Sequence, residues 1–215
     1  MSLLLLSKTL QTGKMSLKCP FQISNAEFGP HTAMTRFAFF HVEQPVFRKN
    51  MRYIILARNP LKRTISAFNW RYKLVVVTEE QRHSDPGEFE ALTQYGSINV
   101  LSEALYDDDG IPRHEAIKAM RTIGHIRMDI SFYLTNLLDR CRPDQIEAVL
   151  MQETLNQDIA KVFGINNEYQ IHENSDMRDP PLSPKARKNL MRFLHRDYEA
   201  LARLYAWVRS IQVHS

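Results

Sequence analysis

Arg58, Arg63 and Ser66 fall within nine residues of one another, around Asn59-Pro60 and immediately after the apolar run Tyr53-Ile54-Ile55-Leu56-Ala57. An arginine at the end of a strand presents a planar fork that matches a phosphate, and a serine on the helix that follows adds a hydroxyl donor to the same anion. Two donors of different kinds fix a phosphate in position. A second polar stretch, Ser7 to Leu17, follows the apolar run Leu3 to Leu6 and contains Gly13 and Lys14. Where a strand passes through such a loop into a helix, unpaired backbone N–H groups and the helix dipole favour an anion. Gly13-Lys14 is not a Walker A loop, because the upstream glycine of that motif is missing. His41 follows the apolar run Phe37-Ala38-Phe39-Phe40 and stands 17 residues before Arg58. An imidazole accepts a proton near neutral pH, which makes His41 the candidate general base.

The elements that must position these groups follow from pattern. The run at 53–57 predicts a buried strand ending at Arg58, and Pro60 suits the first turn of a helix whose apolar face is Leu61, Ile65 and Phe68. Leu3 to Leu6 predicts an opening strand. Ile126, Ile130, Tyr133, Leu134, Leu137 and Leu138 predict one long amphipathic helix, and Ile146 to Met151 a late strand. Leu155 to Phe163 predicts a helix stopped by Gly164. Ser183 as N-cap and Pro184 at the first position open a closing helix whose apolar face runs from Leu190 to Tyr205. Strands separated by helices predict an α/β fold with a mostly parallel central sheet covered on both faces. The chain is expected to be a single domain over 1–215, with a helical insertion at about 77–121 on the acceptor side, marked by the turn signals Asp85-Pro86-Gly87 and Asp107-Asp108-Asp109-Gly110.

The segment Arg58 to Phe68 resembles the 3′-phosphate-binding motif of sulfotransferases that use 3′-phosphoadenosine 5′-phosphosulfate (PAPS). Arg58, Pro60, Arg63, Ser66 and Phe68 match that motif, and Asn59 replaces its Asp. Asp144-Gln145-Ile146 through Phe163-Gly164 is similar to the family's late strand and following helix, and Leu182-Ser183-Pro184 through Tyr205 to its closing helix; Val77 to Arg121 is unmatched. The resemblance implies a three-layer sandwich of the P-loop-like sulfotransferase fold, with PAPS as donor and no metal. It implies a 5′-phosphosulfate loop at Leu10 to Leu17, where Thr12, Gly13, Ser16 and Leu17 keep the family pattern while Leu10 and Gln11 replace its Pro and Lys. Gln11, Thr12, Gly13, Lys14, Met15 and Ser16 would line the 5′ side, and Arg58 and Ser66 would hold the 3′-phosphate. Lys14, or Lys8 from the strand end, would supply the charge that Gln11 lacks. His41 matches the family's strand-end histidine and would take the proton of an acceptor hydroxyl on a carbohydrate or small metabolite, with Glu43 as the fallback base, since some members of the family use a glutamate. The segment around His172-Glu173 would close over the nucleotide.

Composition narrows the alternatives. The net charge is only +4, from 28 Lys and Arg against 24 Asp and Glu, too small to argue for nucleic acid but compatible with an anionic small ligand. No apolar run approaches the roughly 20 residues of a membrane span. Two cysteines, Cys19 and Cys141, fit a reducing, cytoplasmic setting. His172 and Glu173 are adjacent and would point apart, which argues against a metal, and Asp107 to Asp109 lacks the alternating ligands of a calcium loop. Two further functions remain open: a non-catalytic relative that keeps an anion pocket, and an ATP-dependent P-loop kinase, which would need a metal-binding Asp and a complete Walker A.

Overall fold

The protein is seen in a computed structural model that describes residues 4–9, 36–41, 44–45, 47–164 and 181–212, with side chains described in 44–45, 47–164 and 181–207. It is a mixed α/β structure. Strands β1 (Leu4–Thr9), β2 (Arg36–His41), β3 (Met51–Ala57) and β4 (Ile146–Met151) form a sheet in the order β2-β1-β3-β4. β3 and β4 are parallel, whereas β1 runs antiparallel to both of its neighbours. This corrects the expectation of a mostly parallel sheet: an apolar run marks a strand but carries no direction, which is set by the ladder it joins.

The parallel pair is covered by helices on both sides. Met51, Tyr53, Ile55 and Ala57 of β3 pack with Ile146 against α5 (Ile130–Leu138) and α8 (His195–Gln212), burying Leu134, Leu137, Leu201 and Leu204. Ile54, Ala148 and Leu150 face the other way, against Leu155, Ile159 and Phe163 of α6 (Leu155–Phe163). A register shift between Tyr53 and Ile54 lets Ile146 and Val149 share one face although three positions separate them. Ahead of β4, Gln145 is buried and its side-chain amide donates to Lys49 O and Met51 O at 3.1 Å each, which ties the two strand starts together.

α1 (Pro60–Tyr72) forms as its sequence predicts. Asn59 caps it by accepting from the Lys62 amide at 3.2 Å, Pro60 occupies the first turn, and Leu61, Ile65 and Phe68 are buried. The cap replaces a bond that the first turn cannot make internally, so Asn59 serves here as an aspartate would. α1 continues into one π-helical turn, Lys73–Val77, in which the Thr78 amide reaches Lys73 O at 2.8 Å.

The region expected as an insertion is helical: α2 (Glu88–Tyr95), α3 (Ile98–Ala104) and α4 (His114–Thr122). It is no appendage to the packing. Leu92, Ile98, Leu101 and Met120 bury against Phe68 of α1 and Leu190 of α7 (Pro184–Phe193) in one apolar cluster. Each such side chain contributes about 1.5–3 kcal/mol relative to exposure.

Two helices differ from expectation. α5 begins at Ile130, capped by Asp129, and leaves Ile126 in the preceding loop. The single closing helix is broken at Leu194 (φ −89°, ψ 14°) into α7 and α8, with Ser183 and Pro184 opening α7 as expected. Leu190 and Leu194 bury in the helical cluster while Ala200, Leu201 and Leu204 bury against the sheet, and one straight helix cannot face both. Cys141 is buried and free, its thiol pushed up to about 11 by burial; Cys19 lies outside the described residues.

Candidate functional site

The site grows from the end of β3. The strand delivers Arg58 to the sheet edge where the parallel neighbour β4 also ends, and Asn59-Pro60 turns the chain directly into α1. The β4 side of that edge supplies Glu153. Its Oε1 accepts from the Asn59 backbone N–H at 3.0 Å and lies 4.0 Å from Arg58 Nε. Arg58 and Glu153 are 21% and 24% exposed, so the pair is neither sealed nor fully solvated. The turn carrying Glu153 is held by Asp158, whose Oδ2 accepts from the Met151 amide at 2.7 Å and from the Thr154 hydroxyl at 2.9 Å.

Among the described residues, neither terminal nitrogen of Arg58 donates a hydrogen bond. Ser66 is half-buried two turns into α1, and no hydrogen bond links it to Arg58. Two positions at the start of α1 are committed: Pro60 has no amide hydrogen, and the Lys62 amide donates to the Asn59 side chain. Among the described residues, the donors left for an anion are the Arg58 fork, the Ser66 hydroxyl and, once Glu153 moves, the Asn59 amide.

Arg63, another residue of the motif, does different work. It is buried, and its Nη2 donates to His125 O at 2.9 Å and Met128 O at 2.6 Å, pinning the loop between α4 and α5. Burial pulls its pKa down while Asp197 opposes the shift. Its Nε and Oδ2 of Asp197 are buried without a hydrogen-bond partner among the described residues. Asp197 spends its other oxygen on the Ser131 amide at 2.9 Å. Burial, reinforced by Asp129, pushes Asp197 up to about 6.

The strand register places His41 on the same edge as Arg58. Leu4, at the start of β1, pairs with His41 on one side and with Leu56 on the other. The expected loop leaves from the opposite edge: Thr9 pairs with Met51, the first residue of β3. Gln11, Thr12, Gly13, Lys14, Met15 and Ser16, together with Glu43, His172 and Glu173, lie outside the described residues. Lys8 pairs with Arg52, near the start of β3 and away from Arg58.

The motif concealed a second cluster. Arg71 meets Glu88 in a bidentate pair, Nε to Oε1 at 2.8 Å and Nη2 to Oε2 at 2.6 Å, and also donates to the Gln81 side chain. Glu88 Oε1 accepts from the Gly124 amide at 2.7 Å. No periodicity marked Glu88; its only sequence signal is an acidic residue in the first turn of a helix after Asp85-Pro86-Gly87. The cluster is buried and closed, so it organises the α4–α5 loop and offers no surface to a ligand.

No group of three His, Cys, Asp or Glu among the described residues is arranged to hold a metal, and no described helix is long and apolar enough to cross a membrane. No protein-family model, no curated protein and no solved structure matches the chain.

Proposed function

We propose that the chain is a sulfotransferase that moves a sulfuryl group from PAPS to a hydroxyl on a carbohydrate or small metabolite, built on a three-layer sandwich of the P-loop-like sulfotransferase kind. One observation carries this reading: a carboxylate oxygen sits 3.0 Å from the Asn59 amide and 4.0 Å from Arg58 Nε, at the place where the motif would seat the 3′-phosphate. Donors that hold one anionic oxygen suit another.

In this reading Arg58 binds the 3′-phosphate through its outer fork and Ser66 adds a hydroxyl bond. His41, whose strand ends on the Arg58 edge, takes the acceptor's proton as the acceptor oxygen bonds to sulfur. The bond from sulfur to the 5′-phosphate breaks in the same transfer, and Lys14 rather than Lys8, which pairs with Arg52 away from Arg58, stabilises the charge gained by that leaving group.

Calorimetric titration with 3′-phosphoadenosine 5′-phosphate and with 5′-AMP tests the reading. The 3′-phosphate is expected to tighten binding by roughly 30- to 100-fold, the scale of a charge-assisted hydrogen-bonded pair, and Arg58→Ala to abolish the difference. Equal affinities in the unmodified protein would overturn it. His41→Ala should leave the affinity in place and lower turnover by about 10²- to 10⁴-fold.

A further inference from the structure

We propose that Glu153 is a built-in occupant of the anion site at the β3–α1 turn, holding the Asn59 amide and facing Arg58 until a phosphate displaces it, and so setting which anions enter. The inference rests on the sulfotransferase reading for the identity of the ligand, and on the contacts of Glu153 for its mechanism.

Glu153 belongs to a short 3-10 turn after β4, Gln152–Thr154, whereas the donors it meets belong to the end of β3. The contact therefore joins two strand ends across the edge of the sheet. It is lopsided: a normal hydrogen bond of 3.0 Å to a neutral backbone N–H, and a charge contact of 4.0 Å with Arg58 that lacks a hydrogen bond. A carboxylate built to orient an arginine grips two nitrogens in parallel, as Glu88 grips Arg71. Glu153 grips none, so its departure leaves Arg58 without a lost hydrogen bond. The Asn59 amide, by contrast, needs an acceptor, and a phosphate oxygen serves as well as a carboxylate.

Selectivity follows from charge. A phosphate monoester brings close to two negative charges and three acceptor oxygens, enough to bond the Arg58 fork and the amide together. A singly charged or neutral group brings no advantage over the carboxylate already present. Glu153 would thus give way only to a dianionic phosphate and would weaken its binding by the work of displacement, while a nucleotide without a 3′-phosphate puts no anion into this site and is indifferent to Glu153.

The test is calorimetric titration of the full chain and of Glu153→Gln and Glu153→Ala, each with 3′-phosphoadenosine 5′-phosphate, 5′-AMP and inorganic phosphate. Glu153→Gln keeps an oxygen for the Asn59 amide and removes the charge, which guards against misfolding; thermal melts confirm the fold of both variants. Both are expected to bind the 3′-phosphorylated nucleotide and inorganic phosphate roughly five- to tenfold more tightly, in line with removal of a partly exposed competing charge, with 5′-AMP unchanged. Unchanged or weaker phosphate binding in both variants would overturn the inference and make Glu153 a positioning residue for Arg58. Tighter inorganic phosphate without any preference for the 3′-phosphorylated nucleotide would uphold the role of Glu153 and defeat the sulfotransferase reading instead.

Discussion

Two arginine–glutamate pairs sit at opposite ends of α1, and they differ in almost every physical respect. Arg71 and Glu88 are 5% and 1% exposed, meet through two parallel hydrogen bonds and share further partners in Gly124 and Gln81. Arg58 and Glu153 are about a quarter exposed and approach only to 4.0 Å. The buried pair has all its oxygens and most of its donors satisfied, which is the condition for ionised groups to remain in an interior. Among the described residues, the edge pair leaves guanidinium donors unspent. A closed pair holds structure, whereas an open one can exchange partners, which is the property that the proposed ligand chemistry at the β3–α1 turn requires.

The largest effect expected from breaking the comparison is in the buried pair. Glu88→Ala leaves the Arg71 guanidinium without its carboxylate and the Gly124 amide without an acceptor. Loss of one partner of a buried pair costs about 3–5 kcal/mol, so urea unfolding should show that loss of stability. Replacing both partners, Arg71→Met with Glu88→Leu, should recover most of it. A single variant that loses under about 1 kcal/mol would mean that the pair is no more structural than a surface one.

A third arginine sharpens the contrast, because Arg63 is buried without a full set of partners. Asp197 nearby is pushed up to about 6, mainly by burial. A carboxyl whose folded pKa lies above its unfolded value lends stability that is complete below the unfolded pKa and lost as pH rises through about 6. Asp197→Asn should remove that slope, worth on the order of 2–3 kcal/mol. His125 works in the opposite direction: burial lowers it to about 4, so its stability is present above the ordinary histidine pKa and lost as pH falls through about 4. Denaturant midpoints from pH 4 to 7 should therefore rise more steeply with pH in Asp197→Asn than in the unmodified protein. Parallel profiles would remove Asp197 from the account.

These clusters explain what could be read from sequence. α1, β3, β4, α6 and the start of α7 were legible because each depends on residues within one or two turns: Pro60 at a first turn, Gly164 after a last one, Ser183 before Pro184. The direction of β1 was not, since Leu4 to Thr9 reads alike in either sense. The break at Leu194 was hidden because it answers to two separate cores. Arg58 was legible as a strand-end cation. The roles of Arg63, Glu88 and Glu153 were not, because each is defined by partners 62 or more, 17 or more and 94 residues away. The match of Arg63 to a motif concealed that its guanidinium faces backbone carbonyls.

A smaller effect probes the closure of the buried pair from its backbone side. A Cβ on Gly124 would stand 3.1 Å from both Arg71 Nε and Glu88 Oε1, and 3.3 Å from Asp85 Oδ2. The hydrogen bonds that define the pair leave those atoms little room to retreat. Gly124→Ala should cost about 1–2 kcal/mol, at the lower end of overpacking penalties, as a reduced urea midpoint with an unchanged slope. An alanine that stabilises the protein would show that the cluster yields easily and is looser than its distances imply.

The smallest effect is expected where the functional consequence is greatest. Arg58→Ala removes a charge contact at 4.0 Å that is open to solvent, and partly exposed pairs contribute only about 0–1 kcal/mol. Glu153 keeps its bond to the Asn59 amide, so no buried carboxylate is abandoned as it is in the Arg71–Glu88 pair. The thermal midpoint of Arg58→Ala should therefore stay within about 1–3 °C of the unmodified protein, since 1 kcal/mol moves a domain of this length by about 2–4 °C. A drop comparable to that of Glu88→Ala would show that the edge pair is as structural as the buried one, and would remove the physical ground for treating Arg58 as a residue free to bind a ligand.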